Sequence, residues 1–266
     1  MTIQKEANSA VFEQPATLES WDNDYYHPLA EQYYDEAIVT MLKLMEVKVG
    51  ATVLDAGCGP GVHSVRVARE GHRVCAIDIS QTMLDEAKSR VSRSGLASQV
   101  EFRQEDLTKL SFPDASFGYV FSWGVIIHIR SVERALDELC RIVQPGGRLA
   151  LYVTNNSSWD GRLEALARIV LRKREMGREE HKLGSGIWYE MHGEKLWVWR
   201  FNIPELISQL EDRGMHFRHR VIGEFSEIQR RVRGPFRKAL LRLNNRLYRL
   251  KFPPGPAVAN LLVFEK

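Results

Sequence analysis

Val53-Leu54-Asp55-Ala56-Gly57-Cys58-Gly59-Pro60-Gly61 is the stretch that decides the fold. An apolar run enters it, a carboxylate closes that run, and three glycines follow at alternate positions. The pattern predicts a buried strand that turns sharply into a helix. A side chain on those glycines would block both the turn and the close approach of a ligand to the backbone.

Outward from this turn, strand and helix signals alternate. Strands are predicted at 52–55, 73–78, 100–104, 117–122 and 148–153. The helix at 62–70 is stopped by Gly71, Ser80 caps a helix that Gly95 ends, and Ser131 caps a third. Pro145-Gly146-Gly147 is read as a tight turn into the fifth strand. Repeated strand–helix units with short links imply a parallel sheet covered by helices on both faces. Upstream, 21–45 has helical periodicity and is rich in tyrosine (Tyr25, Tyr26, Tyr33, Tyr34), either a packing helix or a flap over the ligand. Residues 1–18 are polar and expected to be mobile.

The alternation breaks at Thr154. Residues 154–203 read as a cap insertion, with a basic amphipathic helix at 161–173 and a hairpin over 187–201 turning at 192–195. Strict alternation puts Trp197, Trp199 and Phe201 on one face of that hairpin. A helix from Pro204 to Gly214 and strands at 216–221 and 257–264 complete the core, with a second insertion at 226–256. The expected fold is α/β: a Rossmann-like, doubly wound, seven-stranded, mostly parallel sheet with helical and hairpin cap insertions. Its parts are a tail (1–18), the binding core (19–153), the acceptor cap (154–203) and the completing segment (204–266).

The 266 residues are 44% hydrophobic and 27% charged, and a formal net charge of +3 is too small to argue for a nucleic-acid partner. Three cysteines without CxxC spacing suggest neither a disulfide framework nor a zinc site, and no other metal site is expected. The first residues lack the apolar core of a signal peptide, and no run approaches the roughly 20 apolar residues of a spanning helix, so a cytoplasmic location is expected.

The ligand is narrowed by charge and spacing. Asp55 directly before the glycines would repel a pyrophosphate and suits a ligand with positive charge near the loop. The spacing is GxGxG, not the GxGxxG of dinucleotide sites, which argues against a nicotinamide cofactor. Asp78 ends the second strand, where a carboxylate accepts from ribose hydroxyls. Glu105-Asp106-Leu107 follows the third, where a carboxylate and a backbone N–H could read an adenine edge.

Together with Ala76-Ile77-Asp78-Ile79-Ser80, Met83, Phe112-Pro113-Asp114 and Gln144-Pro145-Gly146-Gly147-Arg148-Leu149, these residues resemble the class I S-adenosylmethionine-dependent methyltransferases. The likeness is closest to the branch that methylates quinones and related small molecules. It implies that Gly57, Gly59 and Gly61 wrap the methionine part of S-adenosylmethionine and that Asp55 helps hold its ammonium group. Asp78 would take the ribose and Ile79 and Met83 would sandwich the adenine. Asp106 and the Leu107 N–H would read the adenine edge, and Ser122 and Trp123 would lie under the sulfonium.

The acceptor side has no diagnostic motif. His128 is the candidate general base, against the alternative that it only hydrogen-bonds to backbone. His63 is either structural or a contact to the methionine carboxylate. Tyr26, Trp188, Tyr189, His192 and Trp197 are candidates for an acceptor wall, the alternative being the core of a small lid. Residues 226–251 carry nine basic side chains against one acidic, and could meet an anionic membrane, an acidic substrate or only solvent. A small hydroxylated or lipid-like acceptor, methylated on oxygen, is the expected substrate. A nucleic-acid methyltransferase lacks support because strand four ends Phe121-Ser122-Trp123-Gly124, without the Asn/Asp-Pro-Pro-aromatic sequence. A cofactor-binding module without turnover stays open.

Overall fold

The computed structural model describes residues 9–19, 27–171 and 177–266. After one helical turn at Ser9–Phe12, the elements in order are α1 (Pro28–Leu44), β1 (Thr52–Ala56), α2 (Val62–Arg69), β2 (Arg73–Asp78), α3 (Gln81–Arg93), β3 (Val100–Gln104), β4 (Phe117–Trp123), α4 (Val132–Ile142) and β5 (Val143–Thr154). Then come α5 (Trp159–Leu171), β6 (Arg178–His181), β7 (Gly184–Met191), β8 (Glu194–Phe201), α6 (Ile203–Glu211), β9 (His216–Ile222), α7 (Gly234–Arg249) and β10 (Ala259–Glu265).

Seven strands form one sheet in the order β3-β2-β1-β4-β5-β10-β9. The first five are parallel, while β10 runs antiparallel to both β5 and β9. The order reverses between β1 and β4, and such a switch point opens a crevice at the carboxyl ends of the strands. Central strands bury both faces, which is why β1 reads as a continuous apolar run. Leu54 and Ala56 pack on one side with α4, α6 and the cap, and Val53 packs on the other with Ile38, Met41, Val65 and Leu84.

Ser131 occupies the N-cap position of α4 but makes no side-chain cap bond there, whereas the starts of α2 and α3 follow the expected chemistry. Ser80 caps α3 by accepting the Met83 N–H at 3.1 Å, and Gly61 begins α2 in the left-handed region, φ 77°. The expected turn at 145–147 lies instead within the long strand β5. Phe117 pairs with Val143 and Tyr119 with Arg148, so the extra residues leave the register as a bulge.

Residues 178–201 form a three-stranded antiparallel sheet, β6-β7-β8, one strand more than the expected hairpin. The β7–β8 connection is the two residues His192 and Gly193, both at positive φ, as a twisted hairpin turn requires. At its N-terminal end the chain departs from the expected free tail. Val11 and Thr17 are buried, the Ser80 hydroxyl donates to the Phe12 carbonyl at 3.0 Å, and Thr82 donates to Glu13 at 2.8 Å. No helix among the described residues is long and apolar enough to cross a membrane.

Candidate active site

The crevice over β1, β2 and β4 opens into a cavity of about 430 Å³ that runs from the glycine loop to the cap. Gly57, Gly59, Asp78, Ile79, Met83, Asp106, Leu107 and Trp123 line the end of it expected to hold the cofactor. Gly57 has φ 88°, and a Cβ there would meet Val125 at 2.4 Å, so the loop passes bare backbone beneath the β4 loop. Asp78 Oδ2 accepts the Gly59 N–H at 2.8 Å and Oδ1 accepts the Ser80 N–H at 2.9 Å. A carboxylate has about four lone-pair sites, which leaves capacity for a vicinal diol. Burial pushes the Asp78 carboxyl up to about 6 despite those N–H donors. Asp106 Oδ1 accepts both the N–H and the hydroxyl of Thr108 at 2.8 Å. The residues therefore fit an adenosyl ligand: a sheltered carboxylate, an apolar Ile79–Met83 slot and a polar far edge.

Three expected cofactor contacts stand elsewhere. Asp55 is buried behind the loop, where its carboxylate accepts the Ser64 hydroxyl at 2.6 Å, so it ties β1 to α2 and does not reach the cavity wall. Burial raises its carboxyl to about 7. Ser122 is also buried and donates to the Ala56 carbonyl at 2.9 Å, because strand alternation sends it into the sheet interior. Gly61 is outside the wall too; a Cβ on it would meet Ala87 at 2.9 Å, so it serves α2–α3 packing.

An aromatic cluster floors the middle of the cavity. Trp123 stacks on Tyr152 with centroids 4.1 Å apart, and His63 lies 4.9 Å from Trp123 and 5.4 Å from Tyr34. Tyr152 is fixed by the Tyr33 hydroxyl at 3.0 Å and by the Glu224 N–H at 3.1 Å. Burial holds His63 well below the usual imidazole range, so it is neutral here.

His128 reaches the cavity and bonds through Nδ1 to the Trp197 carbonyl at 3.0 Å. A carbonyl only accepts, so Nδ1 carries the proton and the neutral ring keeps its lone pair on Nε2. Burial pushes the ring down to about 4. Phe12 stands edge-on to it at 5.6 Å, so the N-terminal segment closes this side of the cavity.

Among the described residues of the expected acceptor wall, only Tyr189 reaches the cavity. Trp197 is fully buried in the core beneath the cap, Trp188 packs beside it at 5.1 Å, and His192 sits at the β7–β8 turn away from the wall. Tyr26 lies outside the described residues. The alternation in β8 was legible, but its aromatic face is the inward one. The cavity meets the other face, Leu196, Val198 and Arg200, with Tyr189 paired to Leu196 across the strands. Gly186 lets the Trp197 ring cross β7, since a Cβ there would meet the ring at 1.6 Å. Arg200 donates to Glu164 at 2.7 Å. Glu227 and Arg230, from the second insertion, complete the rim. Period-two patterning marks Leu196, Val198 and Arg200 as one face, and it could have identified them.

Residues 53–147 match the family model described as a methyltransferase domain, over the strands and loops that build the cofactor end. Over that segment the chain carries a methyltransferase domain of the S-adenosylmethionine-dependent kind. Its relatives include a 27-O-demethylrifamycin SV methyltransferase of Amycolatopsis mediterranei, 31% identical over 109 residues, which are 41% of this chain and 40% of that protein. Another is the sterol 24-C-methyltransferase ERG6B of Gibberella zeae, 32% identical over 107 residues, 40% of this chain and 28% of that one. The matched part thus spans well under half the length of either protein. Among solved structures, a SAM-dependent methyltransferase from Methanosarcina mazei shares the fold at a TM-score of 0.56 and 19% identity, over 81% of this chain and 92% of that one.

Proposed function

We propose that this chain transfers a methyl group from S-adenosylmethionine to a small-molecule acceptor held under the three-stranded cap, with a ring hydroxyl as the methylated group. The observation that carries this reading is the single cavity: the Gly57–Asp78–Asp106 end and the Tyr189–Leu196–Val198 face are two walls of one space. S-adenosylmethionine, when bound, supplies a methyl on a cationic sulfur, which is already a good leaving group. What this chain adds is alignment and exclusion of water, which supply much of the rate in such a displacement. Asp78 and the Leu107 N–H orient the nucleoside, the Trp123–Tyr152 stack sets the floor, and Phe12 shuts out solvent beside His128.

A hydroxyl acceptor must also lose its proton. His128 offers the Nε2 lone pair for this, but an imidazole whose conjugate acid lies near 4 is a weak base. It suits a phenolic or enolic hydroxyl better than an alkanol. The apolar lining of Leu196, Val198, Ile127 and Ile129 fits a ring rather than a sugar. The relatives named above act on oxygen in one case and carbon in the other, so both remain within reach of such a domain.

The test is incubation with methyl-labelled cofactor and fractionated metabolites. Label in an extractable small molecule supports transfer, and hot hydriodic acid identifies the atom, releasing the label as methyl iodide if oxygen is the site and leaving it in place if carbon is. Label confined to nucleic acid, or tight cofactor binding without any transfer, refutes the reading.

A further inference from the structure

Helix α7 is built inside out for a surface helix. Its buried face is Leu241, Asn244 and Asn245. Asn244 exchanges hydrogen bonds with the Ser226 backbone at 3.1 and 2.9 Å, and Asn245 donates to the Leu29 carbonyl at 2.9 Å. Leu241 packs against Ala30, Tyr33, Tyr34 and Ala37 of α1. The apolar residues that give the helix its periodicity point the other way: Phe236 is 75% exposed, Leu243 42% and, just past the helix end, Leu250 67%. Seven-residue steps on an α-helix drift by only about 20°, so these three form one stripe along the outer surface. Leu240 and Leu247 lie half-buried beside it.

Cations flank the stripe. Arg246 and Arg242 are exposed along one side of it, Lys238 stands farther round the helix, and Lys251 lies just past the helix end. Arg242, Arg246 and Arg249 also line a pocket of about 260 Å³ that Leu250 borders. Arg249 is partly committed to Glu36. A soluble surface helix puts its polar face outward. Here the outward face combines an uncovered apolar row with a basic pocket at its end.

We propose that α7 is an in-plane membrane-docking helix that seats this protein on anionic bilayers, its apolar stripe in the interfacial region and Arg242 and Arg246 on lipid phosphates. The chemistry excludes simpler occupants. A second copy docking symmetrically would set one basic row against another. Nucleic acid would satisfy the cations but leave the Phe236–Leu250 stripe in water. A bilayer with anionic headgroups satisfies both, because apolar insertion and headgroup attraction act together. The proposal stands independently of which acceptor is methylated.

The experiment is co-sedimentation of the full chain with vesicles of equimolar phosphatidylcholine and phosphatidylglycerol, compared with phosphatidylcholine alone and with a short DNA duplex. The mixed vesicles should bind at least about tenfold more tightly than neutral ones and lose the protein as salt rises. R242E/R246E should weaken binding by roughly tenfold or more. F236S/L243S/L250S should do the same at unchanged charge. All five positions lie outside the cavity, so cofactor titration checks that both variants are folded. Should one unfold, the other variant and the salt dependence of the unaltered protein still decide. No binding at low salt, binding undiminished in F236S/L243S/L250S, or binding to the duplex in preference to vesicles would overturn the proposal.

Discussion

Asp78 Oδ2 accepts the Gly59 N–H at 2.8 Å, so one carboxylate both positions the glycine loop and faces the ligand crevice. The end of β2 thereby fixes the loop that follows β1, and the two halves of the nucleotide site are one hydrogen-bonded unit. Replacing Asp78 with Ala removes a charge-assisted bond that is worth about 1.5–3 kcal/mol. S-adenosylmethionine binding, measured by titration calorimetry, should weaken by roughly ten- to a hundredfold. Unchanged affinity would remove Asp78 from the site.

Gly57 makes a steric prediction. Its φ of 88° and the 2.4 Å approach of Val125 oppose any side chain. Gly57→Ala should cost about 1–3 kcal/mol in urea unfolding and loosen the β4 loop against the cofactor. Adding Val125→Ala should return part of that loss, because it removes the two closest methyls and leaves only the Cβ contact at 2.9 Å and the backbone strain. No recovery in the double variant would mean that the two methyls contribute nothing to the cost.

Asp55 gives a pH signature. Burial raises its carboxyl from 3.8 to about 7 in the folded protein. The folded state therefore holds the proton more tightly than the unfolded chain, so this group's stabilising contribution is present at low pH and is lost as pH rises through about 7. Asn keeps an acceptor for the Ser64 hydroxyl and does not titrate. Melting temperatures of wild type and Asp55→Asn, followed from about pH 5 to about pH 8, should show wild type losing ground steadily to the variant. Parallel curves would mean that Asp55 is not strained by its burial.

The fold was legible because its signals are local: an apolar run, a glycine turn and a capping serine, repeated. Ser80, Gly61 and the β2 bounds are where periodicity and cap chemistry put them. Which side of an element faces the ligand was less legible. Asp55 and Ser122 sit in a motif associated with the cofactor, yet strand alternation turns both inward. The cap failed in the same way, since large aromatics serve equally well as pocket wall or core and only tertiary packing decides between them. Residues such as Phe12 and Arg230 come from distant segments, and nothing local marks them as neighbours of the cavity.

That two-sidedness of β8 can be measured directly. Val198→Phe adds volume on the cavity face and should raise KM for the acceptor severalfold, with cofactor affinity and melting temperature nearly unchanged. Trp197→Ala removes a buried indole from the opposite face and should cost about 3–5 kcal/mol of stability. A destabilised Val198→Phe with normal KM would place the acceptor elsewhere.

His128 joins the cap to the chemistry, because its Nδ1 proton goes to the Trp197 carbonyl on that same strand. If it takes the acceptor's proton, His128→Ala should lower turnover by about 10²-fold while leaving cofactor affinity intact. Its conjugate acid lies near 4, so this group is already deprotonated throughout the neutral range. The wild-type rate should consequently lose a His128-dependent share only as pH falls through about 4, and should not show a break near 6.5 from this ring. Single-turnover rates with labelled cofactor would read both effects. Equal turnover in His128→Ala, at every pH tested, would reduce the histidine to a strut between the β4 loop and the cap.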